Sequence, residues 1–158
     1  MDMMMRRTAP FVASATLMLV ACVGTDRAPD DAPMGTITFA NGASLEVRIS
    51  ADEEDRRRGL MGVTSLAPDE GMVFQFAEPT DSSFWMKDTL IPLSIAFIGE
   101  DDRVVTVLEM EPCAEEPCPT YSPDGPYVLA VEANAGWFDE RDIDEGDRME
   151  EYVASATQ

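Results

Sequence analysis

Phe84-Trp85-Met86-Lys87-Asp88-Thr89-Leu90-Ile91-Pro92-Leu93-Ser94-Ile95-Ala96-Phe97-Ile98 is the stretch whose reading decides the fold. Two apolar segments flank a short connection that ends at Pro92, where a fixed φ and a missing N–H suit a turn better than a ladder. Leu93 to Ile98 is apolar except for Ser94, and six such residues make a strand. Ahead of the turn, alternation over Ser83 to Lys87 sets Trp85 and Lys87 on one face and Met86 on the other. Lys87 is the only lysine in the chain, every other cation being an arginine. Two readings of it stand side by side. A lysine stem can simply cover an indole with its charge in water. Alternatively, Trp85, Lys87, Asp88 and Thr89 border an aromatic-plus-cation pocket for a small or anionic ligand.

Working outward, alternating apolar residues define further strands. Thr36-Ile37-Thr38-Phe39 and Leu45-Glu46-Val47-Arg48-Ile49 flank Asn41-Gly42. A two-residue turn would send the two apolar sets to opposite faces, because a one-residue slip inverts every side chain. The loop must therefore be odd, Ala40-Asn41-Gly42, with Gly42 left-handed. Met72 to Phe76, Val104 to Met110 and Tyr127 to Glu132 read as strands, and Asp147 to Glu151 as a closing edge strand. Ser50-Ala51-Asp52-Glu53 has the form of a capping box with Ser50 as N-cap. Acid at Asp52 to Asp55, base at Arg56-Arg57-Arg58 and then Gly59 mark a short helix whose charges suit its dipole. Asn134 is placed to cap a second short helix over Gly136 to Arg141. These elements predict an α+β domain that is β-rich, with a mostly antiparallel sheet curling into an open barrel and two short helices.

The N-terminal residues read as a segment separate from the domain. Arg6-Arg7 precede an apolar run from Ala9 to Ala21. As a helix it spans roughly 20 Å, short of the ~30 Å hydrocarbon core, so it reads as a secretory signal. Leu19-Val20-Ala21-Cys22 resembles the lipobox of bacterial lipoproteins, which implies cleavage before Cys22 and diacylglycerol on its sulfur. The expected division is residues 1–22 as lipoprotein signal, 23–34 as a disordered tether, 35–153 as a single domain and 154–158 as a frayed tail. An exported, envelope-facing protein held to a membrane by its lipid is the resulting expectation.

Charge and composition exclude several classes. The formal net charge is −20, and loss of Asp2, Arg6 and Arg7 with the signal leaves −21. Such a surface repels phosphate backbones, so nucleic acid is not an expected partner. There is no histidine. That absence removes Ser-His-Asp and Cys-His nucleophilic sites and the H-E-x-x-H zinc motif. Asp139, Asp142, Asp144, Glu145 and Asp147 read as a solvated acidic loop, no metal site and no cofactor being expected.

Several segments together resemble the domain of unknown function 192, the uncharacterised ACR family. They are Arg56-x-x-Gly59-Leu60-Met61, Gly71-Met72-Val73-Phe74-x-Phe76, Phe84 through Thr89 with Ile91-Pro92-Leu93, Met110-x-Pro112-Cys113, Pro117-Cys118-Pro119-x-Tyr121-Ser122, and Asn134-Ala135-Gly136-Trp137 through Gly146-Asp147. The resemblance implies a compact β-rich α+β domain and no settled activity. The family usually carries Asn where Asp88 stands, often Asp where Ser94 stands, and commonly a basic residue near Val63.

Cys113 and Cys118, in an exported chain whose third cysteine takes lipid, read as a disulfide. Closing so short a loop contributes about 2 kcal/mol on the loop-entropy model; the other reading is a redox-active pair. With no activated nucleophile and no metal set, the leading expectation is a lipid-anchored binding or accessory module rather than an enzyme. Its partners would be the membrane through the anchor and a small or anionic ligand or an envelope protein. A small hydrolase-type enzyme using Lys87 with a carboxylate and a structural envelope protein are the alternatives. Metabolic labelling with a tagged fatty acid is expected to mark the wild type and not Cys22→Ser. Equal labelling of both forms would remove the anchor.

Overall fold

A computed structural model describes residues 32–155. The signal segment, residues 23–31 of the tether and residues 156–158 of the tail lie outside the described residues.

Nine strands and one helix follow in chain order: β1 Met34–Phe39, β2 Ser44–Ser50, α1 Glu53–Arg58, β3 Glu70–Thr80, β4 Phe84–Trp85, β5 Leu93–Ile98, β6 Val104–Met110, β7 Thr120–Tyr121, β8 Tyr127–Asn134 and β9 Met149–Ala154. Seven of them form one sheet in the order β6-β5-β8-β3-β2-β1-β9, and β4 pairs with β7 as a small ribbon. All pairings in the large sheet are antiparallel except β2 with β3. That parallel pair needs a crossover, and α1 with the loop after it supplies the connection.

The first hairpin forms as its apolar pattern requires. Thr38 pairs with Ser44, leaving Ala40-Asn41-Gly42 as a three-residue loop with Gly42 at φ 88°. Phe39 donates its N–H to Ala43 O at 2.9 Å, and Gly42 donates to Phe39 O at 2.8 Å. In this register Ile37, Phe39, Leu45 and Val47 are all buried on one face. β5 behaves differently, with every residue from Leu93 to Ile98 buried. It lies between β6 and β8, with both of its faces covered.

Two apolar clusters account for those two faces. One gathers Ile37, Phe39, Leu45, Val73, Val131, Trp137 and Phe138. The other gathers Leu60, Met72, Phe74, Met86, Ile95, Phe97 and Tyr127. β3, β5 and β8 contribute to both clusters, so these three strands form the middle layer of the molecule.

Three expectations are corrected. Among the described residues there is one helix, not two: Asp139–Arg141 form a single 3-10 turn whose N-cap, Phe138, makes no side-chain cap bond. Asn134, read as that cap, instead ends β8 and donates its side-chain amide to Ala67 O at 2.8 Å. The N-cap of α1 is Asp52, whose Oδ1 accepts the Asp55 N–H at 2.8 Å. Ser50 is engaged in the β2–β3 ladder opposite Phe74, so it cannot also begin the helix. Among the described residues the sheet is largely antiparallel and does not close into a barrel. The sheet edges, β6 and β9, approach only at one end, where Val104 donates to Asp147 O at 2.9 Å and Arg103 bridges Arg148.

Met34 already pairs with Arg48, and Ala154 still pairs with Gly35. Strand pairing thus reaches one residue beyond each expected domain limit. Gly71 fixes the closest approach in the middle layer. A Cβ there would lie 2.2 Å from Glu132 O and 2.9 Å from Leu45 Cδ2. Gly71→Ala is therefore expected to cost about 3 kcal/mol or more, at the upper end for overpacking. Urea unfolding measures it; an unchanged midpoint would mean that β3 and β8 separate there without strain.

Candidate functional site

Two turns meet on the side of the sheet covered by α1. The first, Gly59-Leu60-Met61-Gly62, follows α1, with Gly59 at φ 48° and Gly62 at φ 76°. Gly59 also faces Phe74, whose Cζ would lie 3.3 Å from an added Cβ. The second turn is Met86 to Thr89, where Asp88 adopts φ 54° and Thr89 donates its N–H to Met86 O at 3.1 Å. Gly62 donates to Asp88 O at 3.0 Å and joins the turns. A left-handed φ is tolerated best by Gly, Asn and Asp, which gives position 88 a backbone reason for its residue type apart from any charge.

Beside these turns lies a cleft of about 300 Å³, lined by Phe74, Phe76, Phe84, Trp85 and Tyr127 together with Glu53, Arg56, Arg57, Ser82 and Ser83. Its aromatic walls brace one another. Phe84 stands edge-on to Phe74 at 5.0 Å and to Phe97 at 5.7 Å, and Phe76 is edge-on to Tyr127 at 5.2 Å. Tyr127 donates its hydroxyl to Ser82 O at 2.8 Å. Burial, and then the Asp81 carboxylate, push this phenol up to about 12, so it remains neutral.

Arg56 is held in place at the cleft. Its Nη1 donates to Gln75 O at 3.1 Å and to Ala51 O, and its guanidinium lies 5.2 Å from the centre of the Phe76 ring. Among the described residues, Arg48, Arg57, Arg58, Lys87, Arg103, Arg141 and Arg148 each have a carboxylate within 4.0 Å. Arg56 alone among the described cations has none.

A smaller recess of about 30 Å³ adjoins the cleft and shares Arg56, Arg57, Phe74, Phe84 and Trp85 with it. Thr89 and Glu132 complete its lining, with Arg58 and residues of the Gly59 turn. Glu132 lies in β8 between Met72 of β3 and Ile95 of β5, and only 4% of it is exposed. Burial alone pushes its carboxyl up to about 8, so near neutral pH it is an uncharged acid.

The expected site residues divide between two places. Trp85, half exposed, lines the cleft and recess, and Thr89, buried, lines the recess. Lys87 and Asp88 line neither of these spaces. Lys87 Nζ lies 3.6 Å from Asp88 Oδ1 and 3.7 Å from Glu116 Oε1. It flanks the loop in which Cys113 and Cys118 lie at disulfide distance, S–S 2.11 Å. Asp88 donates its N–H to Cys113 O at 3.0 Å, tying turn and loop together. Ser94 is buried, donates to Glu109 Oε1 and accepts the Gly136 N–H at 2.7 Å, which fixes the turn after β8.

Arg56 and Glu132 were not among the residues expected from sequence. Arg56 is obscured by the helix-dipole role that its neighbours do fill. Glu132 left one legible signal: it shares strand parity with buried Ala130 in an otherwise apolar segment. A second depression, about 630 Å³, carries Asp102, Glu150 and Glu151 and no cation, so it offers an anion nothing. Among the described residues no group of three or more metal-ligating side chains occurs, and no helix is long and apolar enough to cross a membrane.

The site is built from segments that a family model recognises over residues 36–151, and the chain belongs to that family, the domain of unknown function 192 or uncharacterised ACR. Two solved structures are similar. A protein of unknown function from Novosphingobium aromaticivorans is 31% identical with a TM-score of 0.67, covering 75% of this chain and 84% of that one. A protein from Sinorhizobium meliloti, described as a candidate transcription regulator, is 30% identical with a TM-score of 0.65, covering 77% and 92%. No curated protein matches the chain.

The buried carboxyl makes a pH prediction. The unfolded chain loses this proton near 4.5, while the folded chain keeps it to about 8. Stability therefore falls as pH rises through that window and levels off above it. Glu132→Gln is expected to melt close to wild type at about pH 4 and several degrees higher at about pH 9. Equal differences at both pH values would show that Glu132 titrates normally.

Proposed function

We propose that this chain is a lipid-anchored, extracytoplasmic binding module whose site is the aromatic cleft, and that its ligand is a small organic anion with a flat apolar body. The observation that carries the reading is Arg56. In a chain with 31 acidic residues, one guanidinium pairs with none of the described ones and is fixed by two carbonyls against Phe76. A cation already held in place loses little freedom when it accepts an anion. Phe74, Phe84 and Trp85 supply flat apolar walls of the kind small-molecule sites use. Lys87 and Asp88 then serve on the flank, keeping the turn that carries Trp85 and Thr89 attached to the disulfide loop.

The regulator description of the Sinorhizobium meliloti relative does not extend well to this chain as DNA binding, because a net charge of −20 opposes phosphate contacts. The absence of histidine and of a metal-ligand cluster among the described residues gives hydrolase chemistry little to build on.

The test uses 2-naphthoate as probe, with tryptophan fluorescence as readout. Trp85 is half exposed at the cleft, whereas Trp137 is buried in the other cluster. Saturable quenching is expected in the wild type. Arg56→Met should weaken it about tenfold or more, the size of a lost charge-assisted hydrogen bond of ~1.5 kcal/mol. Lys87→Met should leave it within about twofold. Linear, unsaturable quenching, or equal affinity in Arg56→Met, would overturn the reading.

A further inference from the structure

The recess beside the cleft has no place in the reading so far, which needs only Arg56 and the aromatic walls. Glu132 gives it one. The residue is 4% exposed, no hydrogen bond to its carboxyl forms among the described residues, and what access it keeps is to the recess that it lines. A buried polar group without a partner is costly, and native proteins rarely leave one unless water or a ligand completes it. The space it lines, about 30 Å³, has room for a water molecule or the tip of a ligand and for little more.

Resting on the cleft as the ligand site, we propose that Glu132 is a second, specificity-determining contact: a carboxylic acid that donates its proton to an uncharged acceptor on the part of the ligand that enters the recess, while Arg56 binds the anionic group in the cleft. The preferred ligand class is thus an aromatic or flat apolar monoanion carrying a slender oxygen or nitrogen acceptor away from its anionic group.

The surroundings of Glu132 are apolar along the sheet and charged toward α1. On β8 it is flanked across the sheet by Met72 and Ile95. β3 and β4 bring Phe74, Phe84 and Trp85 to the recess, and the turn after β4 brings Thr89. The charged groups that share it come from α1: Arg56, Arg57 and Arg58. Arg57 and Arg58 have Glu53 and Glu54 as partners. A guanidinium keeps its charge throughout the neutral range. A proton-linked change in binding between about pH 6 and 9 therefore reports Glu132.

Two isosteric probes separate the claims. 6-Cyano-2-naphthoate ends in a narrow acceptor, and 6-ethynyl-2-naphthoate has the same shape with no comparable acceptor. Wild-type protein near pH 6 is expected to bind the cyano probe about tenfold more tightly, and the advantage should vanish above about pH 9, once the Glu132 proton is lost near 8. The nitrile stretch of the bound cyano probe should shift to higher frequency at low pH only. Glu132→Gln keeps a donor that does not ionise, so it should retain the preference at every pH. Glu132→Leu should abolish it while both probes still bind through Arg56. Equal binding of the two probes by wild type, with an unshifted nitrile, would overturn the role of Glu132 and leave the cleft reading intact. Failure of either probe to bind in an Arg56-dependent manner would overturn the cleft reading and this inference with it.

Discussion

Burial of both faces of the β5–β8–β3 ladder is the constraint on which this structure depends. These three strands are packed between two apolar clusters, so the side chains of Leu93–Ile98, Met72 to Phe74 and Ala130 to Ala133 are removed from water whichever way they point. Hydrophobic residues gain from that. The same placement leaves Glu132 desolvated, which holds its carboxyl in the neutral form. Gly71 on β3 belongs to the same economy of space, because the backbone of β8 lies where its side chain would have been.

The cleft exists because the cover on one side of the ladder is incomplete. α1 is a single six-residue helix with no buried residue. It cannot seal the aromatic surface of Phe74, Phe76, Phe84 and Tyr127, and instead lays Arg56 beside it. The turns after α1 and β4 close the inner end through the Gly62–Asp88 bond. Polar and charged groups thereby come to the rim and one recess while the walls stay apolar. Binding sites for small molecules share that distribution.

Charge placement separates the site from the rest of the surface. Cations elsewhere in the described chain sit in ion pairs, and those of Arg57, Arg103 and Arg148 are exposed and individually worth little. Lys87, conspicuous as the only lysine, is also paired, lying between Asp88 and Glu116. Arg141 is more deeply engaged: it lies 4.4 Å from the Trp137 ring centre and donates to Asp69 at 2.6 Å, the same carboxylate that accepts the indole N–H. Such contacts pin loops to the sheet. Arg56 pins nothing that its two carbonyl acceptors do not already hold.

Much of the scaffold was legible in the chain itself. The odd loop at Ala40-Asn41-Gly42 followed from parity, since the apolar faces of Ile37 and Leu45 must agree. Leu93–Ile98 and Val104–Met110 have the limits that their apolar runs suggest, and Gly59 ends α1. What local pattern misjudged were competitions with distant partners. Ser50 could cap a helix or continue a ladder, and Phe74 across the sheet decided for the ladder. Asn134 could begin a helix, but Ala67, far away in sequence, took its amide. The candidate site was legible in part, through Trp85 and Thr89 on a motif-bearing turn. Lys87 is a lone cation in the sequence and Arg56 one of a run of three, and only packing reveals which has carboxylates around it and which faces the aromatic walls. Likewise Glu132 is one of 31 acids in the sequence. Its burial depends on β3 and β5 arriving on either side, so desolvation is a property of the assembled sheet and not of the residue.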